Sequence, residues 1–473
     1  MDRRSMYQVV ASASRQSSPK LFERMGFQDL CTRVLDATGR WHQRNCPLKA
    51  PLVVWIVVML SMHRSLSVPN VLKHVFNMLR EREPELSLKA VTGEAVCHAR
   101  KRLGVEPLKM LFAGIAEQIN PRPSFHGLRT WGIDGVQATV PDTPANDSAF
   151  GRPTASRGTT AFPQMKIVSL VDTQTRQIKN AMFTRCDDAE RPSGVSLMQQ
   201  LGSGDLVLID RGFAAVWVFE KCLDDEVHFV ARISSQWKPR VVARLGQGDW
   251  LVKVVARVPL RPEERLNSRR KTRKVTLTLR LIEYRIGKRK TARLITSLTD
   301  PADFPARELA LLYHERWECE LAYDELKVHL STVTHGTLHT VFRSKTPEGV
   351  KQEAYGLLVA YNLLRDLMAE AARAHGLPPL HISFVETLEL VKLYLPRFQA
   401  AKPRSLHRIT CQLLADIAAT ENDRPRRGRW FPRKVKVKMT NYHLKRATDR
   451  EVAVDYTNHL QLAETFNPCA YTC

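Results

Sequence analysis

The stretch Tyr313–Lys327, Y-H-E-R-W-E-C-E-L-A-Y-D-E-L-K, constrains this chain more than any other. It holds no Gly or Pro and is rich in Leu, Ala, Glu and Lys, a composition that favours helix. The residues from Pro305 onward, with Leu309, Ala310, Leu311 and Leu312, start that helix and supply an apolar stripe, so one helix over Pro305–Leu330 is predicted. Residues three, four and seven apart share a helix face. Tyr313, Arg316, Glu320 and Lys327 are therefore expected along one surface, a carboxylate flanked by a guanidinium, an ammonium and a phenol. Such a row suits a phosphodiester with a bound cation: the carboxylate holds the metal while Arg and Lys grip phosphate oxygens. A solvated helix with ordinary i, i+4 pairs such as Arg316–Glu320 has the same composition, so the stretch alone decides nothing.

The charge balance narrows the choice. A formal net charge of +24 and a pI near 9.9 call for a polyanionic partner, nucleic acid first. With 473 residues, 44% of them hydrophobic, the chain can build two or three domains with a substantial core. Its nine cysteines are scattered without a C-x-x-C pair, which argues against a zinc ribbon or a disulfide framework and for a reducing compartment. The most apolar run, Pro51–Met62, is too short to span a bilayer, and the N-terminus lacks the apolar core of a signal peptide. A cytoplasmic, nucleoid-associated protein with no membrane partner is expected.

Residues 1–20 read as a loose Ser- and Arg-rich leader. Residues 21–122 read as a helical DNA-binding domain, with helices at Leu21–Thr38, Leu52–Met62, Val68–Arg80, Gly93–Leu103 and Leu108–Ile119. Thr92 is a cap and Gly104 a stop for the fourth. Val68–Arg80 and Gly93–Leu103, the latter ending on Arg100, Lys101 and Arg102, make a candidate helix-turn-helix-like reader of DNA ends. A bundle that only packs and grips backbone fits the same helices.

After Pro121-Arg122-Pro123 the period changes. Thr130–Val140 reads as a strand, Pro141–Pro163 as a turn-rich loop, and Met165–Asp172 with Gln177–Thr184 as a hairpin. Ser193–Leu201 is helical, Leu206–Asp210 a buried strand, Ala214–Cys222 helical and Val227–Ile233 a strand. That order, β-β-β-α-β-α-β before the Pro305–Leu330 helix, is that of an RNase H-like core spanning 123–330. Asp134 lies in I-D-G of the first strand, and Asp210 ends the fourth in V-L-I-D-R-G-F; Gly135 and Gly212 follow, which lets a backbone approach closely. Each Asp alone reads as a cap or turn-former.

Residues 236–293 alternate Val, Leu and Thr with basic residues and read as a β-rich insertion, with a basic loop over Arg261–Lys274. Residues 331–423 are helical again (Val350–Ala374, His381–Tyr394, Leu406–Thr420), and 424–473 form a basic tail with Trp430, Phe431 and Tyr442 interleaved. The fold class is thus α/β: an RNase H-like mixed-sheet catalytic core with a β-rich insertion, flanked by N-terminal and C-terminal α-helical regions.

The pattern Tyr313-x2-Arg316-x3-Glu320-x6-Lys327 resembles the signature of the insertion-sequence-4 family of DDE transposases, every spacing intact. The resemblance makes Asp134, Asp210 and Glu320 the catalytic triad and the metal ligands. Three carboxylates converge only around a cation, and hard oxygen donors select Mg2+ or Mn2+, here two ions. Asp324 is the rival carboxylate on the helix face. Tyr313, Arg316, Trp317 and Lys327 become DNA contacts. The family uses an aromatic of the insertion to hold a flipped base, a role open here to Trp237 or Trp250. Cys319 replaces a branched aliphatic and Tyr323 a Phe, departures that leave the chemistry untouched. The resemblance implies cut-and-paste transposition through hairpin ends, with double-stranded DNA (transposon ends and target) as partner and a homodimer in the synaptic complex. A catalytically silent DNA-binding relic and an RNase H-like nuclease are the alternatives.

Overall fold

The computed structural model describes residues 20–23, 26–41, 48–80, 91–155, 158–261, 264, 270–287, 291–329, 333–334, 337–338, 342–421, 429–430 and 454–464. Residues 1–19 of the leader, the centre of the basic loop and all but 429–430 of the basic 424–446 run lie outside the described residues.

In chain order, α1 (Phe27–Thr38), α2 (Ala50–Met62), α3 (Val68–Arg80), α4 (Gly93–Leu103) and α5 (Glu106–Glu117) come first. They are followed by β1 (Arg129–Thr139), α6 (Pro144–Phe150), β2 (Gln164–Asp172), β3 (Ile178–Arg185), α7 (Glu190–Met198), β4 (Asp205–Ile209), α8 (Val216–Asp224) and β5 (His228–Ile233). Next are β6 (Arg240–Gly246), β7 (Asp249–Pro259), β8 (Thr272–Ile286), β9 (Ala292–Thr296), α9 (Ala306–Tyr313) and α10 (Trp317–Asp324). Last come α11 (Pro347–His375), α12 (Phe384–Ala400), α13 (Pro403–Ala418) and β10 (Leu460–Leu462). Two compact units emerge. One takes Met1–Arg122, Thr130–Gln200 and Trp317–Asp423, the other Pro123–Arg129, Leu201–Arg316 and Arg424–Cys473.

In the first unit, α2 is apolar on every side, and all of Leu52–Met62 is buried. An all-round apolar helix needs cover on all faces; α11, α3, α4 and α1 supply it, α2 lying chiefly against α11. Thr92 caps α4 as expected, its Oγ1 accepting from the Ala95 N–H at 3.1 Å. Strands β3, β2 and β1 form an antiparallel meander with Asp134 opposite Ser169. The central strand β2 is buried on both faces, hence its near-continuous apolar run. Asp172 turns the chain at its end, accepting from the backbone N–H of Gln174 at 3.0 Å and Thr175 at 3.1 Å. The turn closes with Arg176 at φ 60°.

In the second unit, β4 and β5 run parallel, and β9, β8, β7 and β6 continue antiparallel from β5. The strands of the expected β-rich insertion extend this unit's sheet. Leu206, Leu208, Val230, Ile282 and Leu294 form a core that α9 covers with Leu309 and Leu312. Within it Arg280, fully buried, pairs with Asp249 through both carboxylate oxygens at 2.8 and 2.7 Å.

Two expectations change. The turn-rich 141–163 segment contains α6, capped by Thr143, whose Oγ1 accepts from Asn146 N–H at 3.2 Å; its T-P-A-N start is a capping signal that the surrounding Pro and Gly mask. The single Pro305–Leu330 helix is broken. A 3-10 turn, His314–Arg316, separates α9 from α10, and a π-turn, Glu325–His329, follows α10. No described helix is long and apolar enough to cross a membrane.

Candidate active site

Breaking the helix removes the single ideal helix on which the row of four was expected. A 3-10 turn has 3.0 residues per turn rather than 3.6, and a π-turn more, so spacings no longer map onto one straight face. Within its own unit, each candidate catalytic Asp has signature residues beside it.

In the second unit, Asp210 follows directly on the fully buried β4. The chain turns back there, the N–H groups of Phe213 and Ala214 donating to the Asp210 carbonyl at 3.0 and 3.2 Å. The Asp210 side chain stays 38% exposed. Tyr313, buried at the end of α9, donates its hydroxyl to Asp210 Oδ1 at 3.4 Å. Arg316 approaches the same oxygen, Nε at 3.9 Å. Burial holds the Tyr313 phenol well above its usual range, so it stays protonated as a donor.

In the first unit, Asp134 lies half-buried on β1, its Oδ1 accepting from the Gly135 N–H at 2.8 Å. Its carbonyl accepts the Tyr323 hydroxyl at 2.7 Å. Two residues earlier, Gly132 faces Cys319: a Cβ at 132 would lie 2.2 Å from the Cys319 Sγ. The strand carrying Asp134 thus packs against the helix face beside Glu320, which is itself half-buried. Lys327 completes this group. Burial lowers its pKa, while the charges of Asp134 and Asp324 oppose that shift.

A buried ion cluster supports α10 from beneath. Arg176 donates to Glu318 at 2.7 Å and to Glu325 at 2.6 Å. Glu325 also accepts the Tyr361 hydroxyl at 2.9 Å and pairs with Arg365. Glu318 and Glu325 flank Glu320 along the chain, so one guanidinium spans the segment that presents it. Periodicity missed Arg176, Tyr361 and Arg365; no local pattern marks a turn residue that reaches a helix 142 positions away.

The other sequence candidates divide by exposure. Trp317 is 48% exposed. Trp250 is buried at 4%, whereas Trp237 is half-buried against Phe219, ring centroids 5.6 Å apart. Arg100 is engaged in packing: it donates to Gln352, Ser344 and the Gly349 carbonyl at 3.2, 3.0 and 3.0 Å. Lys101 and Arg102 remain exposed.

As metal donors, Asp134, Asp210 and Glu320 are of one kind, hard carboxylate oxygens that suit Mg2+ or Mn2+. Among the described residues no group of three His, Cys, Asp or Glu side chains is gathered to hold a metal. Carboxylates repel until a cation neutralises them.

The mixed sheet strands and their covering helices are those of an RNase H-like core. The domain described as "Transposase DDE domain" matches residues 132–363, and "Insertion element 4 transposase N-terminal" matches residues 20–113. The chain is 31% identical over 421 residues to Transposase InsG for insertion sequence element IS4 of Escherichia coli strain K12, across 88% of this chain and 91% of that protein. Among solved structures, the cryo-EM piggyBac transposase synaptic complex with hairpin DNA aligns over 90% of this chain and 86% of its own. Its TM-score of 0.43 and 11% identity make that likeness too loose to bear on chemistry. The chain belongs to the insertion-sequence-4 family of DDE transposases. It is an enzyme that cleaves DNA and transfers strands, and a DDE domain works with a divalent metal.

Proposed function

We propose that Asp134, Asp210 and Glu320 are the catalytic carboxylates and together hold two Mg2+ or Mn2+ ions at the scissile phosphate. What carries the reading is the interlock of β1 with α10 through Gly132–Cys319 and Tyr323–Asp134, which ties two of the three carboxylates to rigid elements. Bound there, divalent ions would activate a water or a 3′-hydroxyl and stabilise the leaving oxygen.

The chain's own residues position the DNA. Arg316 and Lys327 grip phosphate oxygens on either side of the reacting phosphorus, and Tyr313 orients Asp210. At each terminal inverted repeat, water attacks phosphorus and the P–O3′ bond breaks, freeing a 3′-hydroxyl. That hydroxyl attacks a phosphodiester of the opposite strand, closing a hairpin as the flanking strand's 3′-oxygen leaves. A second water hydrolyses the hairpin phosphodiester and frees the 3′-hydroxyl again, which then attacks a target phosphodiester and releases a target 3′-hydroxyl. Trp317 contacts the strand near the cut. Trp237, the less buried insertion tryptophan, takes the flipped base in preference to Trp250. Lys101 and Arg102 read the transposon ends, while Arg100 holds their helix in place. The protein acts on the nucleoid in the cytoplasm, as a homodimer when two ends are synapsed.

The test is to incubate purified protein with Mg2+ and a plasmid carrying the element's ends, comparing wild type with Glu320→Ala. Excised, hairpin-ended fragment from wild type alone supports the assignment. Equal cleavage by both would remove Glu320 from the triad, and binding without cleavage by either would make the protein a silent DNA binder.

A further inference from the structure

The β6–β7–β8 ribbon carries its charges in an arrangement that protein contacts alone do not explain. Along β7, Lys253, Val255 and Arg257 are exposed while Val252, Val254 and Val258 are buried, so one face is inward and one outward. The inward face is neutralised. Arg273, opposite Val258, pairs with Glu220 of α8 at 2.7 Å and with Glu264 at 3.0 Å. The outward face is not. Arg240 lies directly opposite Lys253, and Lys274 directly opposite Arg257, all four exposed. Among the described residues none of them has an acidic partner. Thr272, Thr276 and Thr278 fill the same face of β8.

Side chains directly opposite on antiparallel strands have Cβ atoms about 5 Å apart, and like charges so placed are destabilising. Two such pairs on one face, with Val255 and Thr276 between them and no carboxylate, are matched by a polyanion lying along the strands. From Lys253 to Arg257 the strand rises about 14 Å. A duplex carries one phosphate charge per about 1.7 Å of axis, so that length presents about eight.

We propose that the outward face of β6–β7–β8, through Arg240, Lys253, Arg257 and Lys274, is a sequence-neutral binding surface for the sugar-phosphate backbone of duplex DNA, separate from the catalytic carboxylates. Only the identity of the polyanion rests on the transposase reading. The face offers point charges and hydroxyls, with Val255 among them, and no helix to enter a groove. It therefore holds DNA of any sequence, as target DNA requires.

The test uses the full-length protein in EDTA and a duplex of unrelated sequence, measuring Kd from 50 to 200 mM salt. Combining Arg240→Gln, Lys253→Gln, Arg257→Gln and Lys274→Gln is expected to flatten the log–log salt slope by about 3–4, at about 0.9 per lost phosphate contact. Binding at low salt should weaken ten-fold or more, and the melting temperature should hold or rise as the like-charge pairs are removed. The matched control replaces Arg373, Lys402, Arg404 and Arg408, exposed on α11 and α13 or at their ends, with Gln. An unchanged slope in the folded sheet variant overturns the proposal, and so does an equal fall in the control, which would reduce the effect to net charge. Because binding is read without metal, an incorrect catalytic triad leaves this measurement unmoved.

Discussion

Gly132 and Cys319 touch with no space for a side chain at 132: a Cβ there would lie 2.2 Å from a fully buried Sγ. Gly132 stands two residues before Asp134 and Cys319 one residue before Glu320, so the contact sets the separation of strand and helix where both carboxylates leave them. Gly132→Ala is expected to cost about 1–3 kcal/mol through overpacking, a fall of several degrees in melting temperature, and to lose more cleavage than DNA binding. Adding Cys319→Ala should restore most of the stability; a double variant no better than the single would show that the clash lies elsewhere.

Arg176 lies between Glu318 and Glu325, within 2.7 Å of each. Removing it leaves buried carboxylates short of a cation. Arg176→Met is expected to destabilise by about 3–5 kcal/mol, the range for breaking a buried pair, seen as a lower denaturant midpoint. Burial raises the Glu325 pKa, but Arg365 and Arg176 outweigh it and hold the group below its ordinary value. That stability is present above the unfolded carboxylate range and is lost as pH falls through the folded pKa. An acid-unfolding profile should therefore flatten in Glu325→Gln.

His63 stacks on His74, centroids 5.0 Å apart, and its pKa is pushed down to about 4, by burial first and then by the charges of Lys392 and His74. The folded state keeps His63 neutral while the unfolded chain takes up a proton below about 6.5. Its contribution to stability is full above that value and drains away between about 6.5 and 4. His63→Gln should remove this component from melting temperatures measured across that window; an unchanged pH dependence would assign it to other groups.

Tyr323 donates its hydroxyl to the Asp134 carbonyl at 2.7 Å. Tyr323→Phe keeps the buried ring and forfeits one hydrogen bond, worth about 1 kcal/mol. Cleavage should stay within a few-fold of wild type. A loss of hundreds-fold would show that the hydroxyl positions Asp134 for the reaction.

What the sequence determined by itself was local. Local pattern placed the strand around Asp134, a continuous apolar run placed the buried strand just before Asp210, all-round apolarity marked α2, and Thr92 announced its cap, because each follows from contacts within a few residues. The spacing from Tyr313 to Lys327 carried the family, since it is a property of the chain rather than of its shape. Tertiary structure alone decided the rest. The Pro305–Leu330 segment has no Gly or Pro to break it, yet it tightens at His314–Arg316 and widens at Glu325–His329. Packing of Tyr313 on Asp210 and of Glu325 on Arg365 outweighs the few tenths of a kcal/mol per residue of helix propensity. Arg100 and Lys101 are neighbours in a basic run, but only Arg100 is taken up by α11. Trp237 and Trp250 are alike in sequence and differ in burial. The pairing of Arg176 with Glu325 spans 149 residues; a contact of that range is set by which elements meet, and no local pattern encodes it.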